Sequence, residues 1–166
     1  MASLIGSKVE RKEDKRFLTG KGQYTADINL VNQTYAIFVR SPHARAKINK
    51  IDISKAEKST GVVKILTGED LVKDKIGGLI AGWKIVSQDG KDMKVPPHPP
   101  LANDSVNYVG DHVAIVIAET LEQAKNAAEL ILLDVEELDV IVDPRDSVKS
   151  KAQPIHNGMK NNIAVD

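Results

Sequence analysis

His112-Val113-Ala114-Ile115-Val116-Ile117-Ala118 is a nearly continuous apolar run, the pattern of a strand covered on both faces. Thr120-Leu121-Glu122-Gln123 follows with capping-box spacing, in which a threonine hydroxyl and a glutamine three residues on satisfy amides that a first helical turn leaves orphaned. The helix that starts there sets Leu121, Ala124, Ala127, Ala128 and Ile131 along one stripe. Glu122, Lys125, Asn126 and Glu129 are left for solvent. Leu132 to Leu138 returns to strand character. Residues 112–138 therefore read as β-α-β, and the right-handed crossover rule makes the two strands parallel partners.

Upstream, the same signals recur more weakly. Thr34 to Arg40 is rich in β-formers and apolar almost throughout, so it reads as a buried strand, stopped by Ser41-Pro42-His43 because proline cannot donate to a ladder. In Ala46 to Ile53 the apolar residues fall at 46 and 48, then at 51 and 53. The alternation slips once, and a β-bulge between Ile48 and Ile51 would return one face to the core. Ser54-Lys55-Ala56-Glu57 has capping-box spacing for a short helix ending at Gly61. Val62 to Leu66 is the next strand, and Thr67-Gly68-Glu69-Asp70 the next helix start. Asp143-Pro144 is another, with the aspartate as N-cap and proline at N1.

Residues 74–104 differ. Gly77, Gly78, Gly82 and Gly90 precede Pro96-Pro97-His98-Pro99-Pro100, which excludes a long helix or a central strand. A connection this long is usually functional or mobile. Its Trp83, the sole tryptophan, reads as an anchor packed on its own domain or on a partner. The first twenty residues are charged and turn-rich, ending in Thr19-Gly20-Lys21-Gly22, and the tail from Gln153 is polar and turn-like. The fold class that follows is α+β, a mixed β-sheet with a few short helices and one β-α-β crossover. Residues 1–150 form the domain, and 151–166 a linker.

Composition removes several function classes. Lys plus Arg and Asp plus Glu number 23 each, so no bulk charge draws the chain to nucleic acid or anionic lipid. There is no cysteine, which excludes disulfides, thiolate zinc sites, cysteine nucleophiles and any iron–sulfur cluster held by this chain. The N-terminus has no apolar run long enough for a signal peptide or membrane helix, and the expected compartment is the cytoplasm.

No constellation of residues carries chemistry. Gly20-x-Gly22 neither follows a strand nor opens a helix, and Thr25 stands where the dinucleotide fingerprint needs its third glycine. His43, His98, His112 and His156 lie far apart, without a second ligand at helical spacing. His112, at the start of a strand, reads as a hydrogen-bonded edge residue, and His98 as solvated. Asp134 and Glu136 share a strand face, which is compatible with an acid–base pair but fits a solvated face better. No residue is assigned a catalytic, cofactor-binding or metal-ligating role. A small histidine metalloprotein and a free-standing interaction module using the 74–104 loop remain as alternatives.

Several segments, in order, resemble the start of the molybdenum-hydroxylase large subunit of the xanthine dehydrogenase, aldehyde oxidase and carbon monoxide dehydrogenase family. They are IGSKVERKEDKRFLTGKGQYTADI at 5–28, Phe38-Val39-Arg40-Ser41-Pro42-His43-Ala44, and Gly61-Val62-Val63 with Leu66-Thr67-Gly68-Glu69-Asp70-Leu71. Pro100-Leu101-Ala102, Tyr108-Val109-Gly110, Val113-Ala114, Ala118-Glu119-Thr120, Ala124, Ala127-Ala128 and Val142-Asp143-Pro144 continue the likeness. Arg45 stands where the family usually has a second histidine, and Asp111-His112 where it usually has Glu or Gln followed by Pro.

The resemblance implies the α/β hammerhead domain of such a subunit, structural and cofactor-burying rather than catalytic. Residues 151–166 would then lead toward a molybdopterin-binding domain that this chain lacks. It implies an enzyme using molybdenum-pyranopterin for hydroxylation with water oxygen, in which electrons pass through two [2Fe–2S] clusters to FAD. The implied partners are the molybdopterin-binding part of the large subunit, an iron–sulfur small subunit and an FAD medium subunit. The family's motifs begin within a few residues of Met1 and cysteine is absent, so the clusters are expected on other chains. The chain itself is expected to be a shortened or split gene product.

Overall fold

The computed structural model describes residues 6, 8, 10–149 and 151–166. The reading of residues 1–5, 7 and 9 as part of the charged start, and of residue 150 as the domain's end, falls outside them. Contacts divide the chain into two compact units, residues up to Gln33 and Thr34–Asp166. In the first, helix α1 (Asp14–Leu18) ends in the expected turn, where Gly20 takes φ +69°. Phe17 stacks on Tyr24 with ring centroids 5.5 Å apart.

The second unit carries two three-stranded sheets. One has the order β1 (Tyr35–Arg40), β5 (His112–Ala118), β3 (Val62–Thr67); the other β4 (Ser105–Val106), β2 (Ala46–Asp52), β6 (Leu132–Glu137). Helices α2 (Gly68–Lys73), α3 (Leu121–Ala128) and α4 (Pro144–Ser147) complete an α+β fold with short helices. The strands on either side of α3 are not parallel partners. β5 pairs antiparallel with β1 and β3, and β6 pairs antiparallel with β2 in the other sheet. Apolar patterning marks both segments as strands but says nothing of which neighbour each takes. The crossover passes between sheets instead of returning to its own.

The slip in β2 is real. Its register against β6 shifts between Ile48 and Lys50, so Ala46, Ile48 and Ile51 all reach the core side. The opposite face sets Lys47 across from Glu136 and Lys50 across from Asp134, an arrangement of cross-strand opposite charges on a solvated surface. The capping box at Ser54 does not form. Ser54 donates to Asp52 Oδ1 at 2.6 Å, and only one 3-10 turn, Ala56–Lys58, follows. Holding these hydrogen bonds and Lys50 beside it, the Asp52 carboxyl titrates far below the usual carboxylate range.

The main core lies between the β1-β5-β3 sheet and α3. Ala56, Ile65, Ala114, Val116, Ala118, Ala124, Ala127 and Ile131 are all buried. The stripe predicted for α3 is thus the packed one, except that Leu121 is exposed, and Thr120 accepts from the Gln123 amide as its cap. At α2 the Thr67 amide and hydroxyl both donate to Asp70 Oδ2, at 2.8 and 2.9 Å. Gly68 is required there: a Cβ would lie 2.4 Å from the Ala102 carbonyl oxygen.

The hydrogen bond from the Thr67 amide, more than any other influence, holds the Asp70 carboxyl below its ordinary pKa. A lowered folded pKa stabilises above the unfolded value, about 4 for Asp, and that stability is lost as pH falls through the folded pKa. Asp70→Asn is therefore expected to cost about 1 kcal/mol near neutrality. The gap from the parent chain should close as urea titrations are moved to acid pH.

Candidate functional site

Two segments far apart in sequence, Arg40-Ser41 and residues 107–111, are bonded together beside an apolar concavity. Ser41, just past β1, donates its amide to the Asp111 carbonyl at 2.8 Å, and Gly110 donates its own to the Ser41 carbonyl at 2.8 Å. Arg40 Nη1 adds a bond of 3.0 Å to the Gly110 carbonyl. Gly110 takes φ +92°, a conformation that favours glycine, and so turns the chain sharply before β5. Asp111 is 8% exposed and accepts the Asn107 amide at 3.1 Å. Burial first, then the Asp111 charge and hydrogen bond, raise the Tyr108 hydroxyl above its usual pKa.

Tyr108 and Asp111 also line a cleft of about 480 Å³, walled by Leu79, Ile80, Val95, Pro97 and Ile155 among others. His98 and His156 both line it, and His98 meets Tyr108 edge-on at 6.3 Å. Part of the 74–104 connection, residues 79–81 and 93–99, therefore walls the cleft, while most of its side chains stay exposed. Within it, residues 85–93 make a small hairpin, with Val86 bridged to Asp92. The C-terminal segment clasps this hairpin: Gln88 donates to Asp166 O and Lys94 to Ala164 O, at 2.8 and 2.9 Å. Trp83 is not packed on its own domain; it is 81% exposed.

The other histidines are elsewhere. His43 Nδ1 sits 2.9 Å from Glu137 Oε1, a contact across 94 residues that spacing could not reveal. His112 is not a hydrogen-bonded edge residue. It opens the central strand, its ring lies 4.5 Å from that of Phe38, and its buried Nε2 has no hydrogen-bond partner among the described residues. Arg45 donates to the carbonyls of Asp139 and Pro154, at 3.2 and 3.0 Å, and so ties the tail to the end of β6.

No group of three or more His, Cys, Asp or Glu that could hold a metal ion occurs among the described residues. With no cysteine in the sequence, these residues do not fit a thiolate-held iron–sulfur cluster. No helix among them is long and apolar enough to cross a membrane.

Residues 19–139 match the family described as aldehyde oxidase and xanthine dehydrogenase, a/b hammerhead domain. The chain belongs to this family. It is 38% identical to the nicotine 6-hydroxylase large subunit of Paenarthrobacter nicotinovorans, over 98% of this chain and 19% of that one. It is 33% identical to the xanthine dehydrogenase molybdenum-binding subunit of Escherichia coli O157:H7, over 85% of this chain and 18% of that one. The crystal structure of quinoline 2-oxidoreductase from Pseudomonas putida 86 superposes with a TM-score of 0.81 at 31% identity, covering 96% of this chain and 19% of that one. The hammerhead chain is thus a domain of the molybdenum-hydroxylase large-subunit family, its relatives are oxidoreductases, and it spans about a fifth of their length.

Proposed function

We propose that this hammerhead domain is a structural, cofactor-burying part of a molybdenum-hydroxylase large subunit and does not catalyse by itself. The observation that carries this reading is the connection formed by residues 74–104. Ile76, Leu79, Ile80, Trp83, Val86 and Val95 are all more than half exposed there, beside an apolar cleft. So many exposed apolar side chains on one connection mark an interaction surface. The partner is the molybdopterin-binding remainder of the subunit, toward which residues 151–166 lead as a linker from the domain of residues 1–150. Molybdenum-pyranopterin, held by that remainder, supplies hydroxylation with water oxygen. The [2Fe–2S] clusters and FAD sit on an iron–sulfur small subunit and an FAD medium subunit, and the enzyme is cytoplasmic.

Two measurements test this. The 166-residue chain alone is expected to show no dye-linked turnover with aldehydes, carbon monoxide or purines; turnover would overturn the reading. Co-expressed with a nicotine 6-hydroxylase large subunit lacking the matched residues, the chain is expected to co-purify. Trp83→Ala and Ile80→Glu should each weaken that complex at least about tenfold, as loss of a central aromatic or aliphatic anchor does. Failure of the parent chain to bind would leave a free-standing interaction module, using the same 74–104 loop, as the better account.

A further inference from the structure

The β1-β5-β3 sheet has two faces, and α3 covers one. Ile37, Val39, Ile65, Ala114 and Val116 point to that side and belong to its core. The residues between them form the other face. Phe38 stands opposite Ile115, Leu66 opposite the same Ile115, and Ala36 opposite Ile117, and directly opposed residues share a face. All five are apolar. Ala36 is exposed, Phe38 is 44% exposed, and Leu66, Ile115 and Ile117 are half-buried. An antiparallel sheet with one solvated side ordinarily alternates apolar with polar residues. β1 and β5 do not, although the same fold alternates properly in β2 and β6, where Lys47 and Lys50 meet Glu136 and Asp134.

β1 is accordingly not the buried strand its composition suggests but an edge strand, its residues alternately half-buried and exposed. Its outer residues have the chemistry of a covered surface. At one end His112 lies against Phe38 with its Nε2 unpartnered among the described residues. Lys64 and Arg40 stand at diagonal corners of the face.

We propose that this face is a second docking surface, covered by an apolar, acid-rimmed segment of the large-subunit remainder. The inference rests on the structural reading above and adds a face that the 74–104 loop does not include. Size selects the occupant. Three strands spaced by about 4.8 Å, each with six or seven residues rising about 3.3 Å apiece, make a face of roughly 300 Å². A stable complex buries about 800 Å² on each partner, so the face is too small to hold a second copy or a free protein unaided. It suits a contact that adds to another between parts of one subunit, and about four-fifths of the relatives' length lies outside the matched segment.

The absence of cysteine makes the test clean, because an introduced thiol has no competitor in the chain. Ala36→Cys is expected to react readily with a maleimide in the isolated chain. It should react at least tenfold more slowly when the chain is co-purified with the truncated nicotine 6-hydroxylase large subunit, read by mass spectrometry of the peptide that carries position 36. Asn126→Cys, on the solvent side of α3, should react alike in both states, and Phe38→Glu should reduce co-purification at least tenfold while leaving the circular dichroism spectrum of the free chain unchanged. Unaltered labelling of Ala36→Cys in a complex that does form would overturn the second surface and leave the structural reading standing. Failure of the parent chain to bind would overturn both. Protection of Ala36→Cys in the isolated chain, with a dimer in sedimentation that Phe38→Glu dissolves, would make a second copy the occupant and refute the large-subunit segment.

Discussion

Ile65→Ala is expected to remove about 3–4 kcal/mol of stability, toward the upper part of the range for such truncations. Ile65 is 2% exposed and lies opposite Val116 in the middle of the main core. Its neighbours in that core include Ala56, Ala114, Ala118, Ala124 and Ala127. An alanine has no rotatable side chain with which to fill a hole, so the cavity left by the missing carbons should stay largely open, and cavity volume is what sets the cost. Small domains are stable by about 5–15 kcal/mol in total, so the variant should retain a much reduced margin and a clearly lower urea midpoint. Val63→Ala, two residues away on the same strand but 57% exposed, is the control and should change stability by less than about 0.5 kcal/mol. Equal losses at the two positions would mean that the core is not where the alanine-lined helix α3 places it.

The sequence makes the local chemistry of this fold legible and leaves its long-range pairing hidden. The bulge in β2 can be read because side chains alternate with period two, so one slip between Ile48 and Ile51 admits few repairs. Caps at Thr67, Thr120 and Asp143 are readable because the donor and acceptor lie within three residues. Ser54 misleads for the same local reason: Asp52, two residues upstream, competes for its hydroxyl. Strand partners are another matter. The run from His112 to Ala118 announces a central strand, and β5 is one, yet nothing in it distinguishes a parallel neighbour just downstream from antiparallel neighbours far upstream.

The same limit governs the site. Arg40-Ser41-Pro42-His43 and Tyr108-Val109-Gly110 stand more than sixty residues apart in the sequence. Only the structure brings them together through the bonds among Arg40, Ser41, Gly110 and Asp111. His43 has no carboxylate nearby in sequence, and the fold delivers Glu137. Arg45 has a definite role here: two of its guanidinium nitrogens reach the separate carbonyls of Asp139 and Pro154. An imidazole offers at most two donors on a much shorter stem. The exposed apolar loop and the uncovered sheet face are legible as chemistry but not as geometry, because a sequence shows that Trp83 and Phe38 are apolar without showing which side of the molecule they reach.

The largest expected effect on function lies outside this chain. If the hammerhead domain helps bury the molybdenum centre held by the remainder of a large subunit, a subunit without it should lose the shell that orients and shields the metal's ligands. Loss of such supporting contacts costs about 10–100-fold in metal affinity. The most direct measurement is the molybdenum content, per subunit and by elemental analysis, of the nicotine 6-hydroxylase large subunit with its matched residues deleted, purified with and without this chain. The expected result is at least about tenfold less molybdenum in the deleted subunit alone, restored substantially when the 166-residue chain is supplied. Full molybdenum content in the deleted subunit, with or without the chain, would contradict a cofactor-burying role.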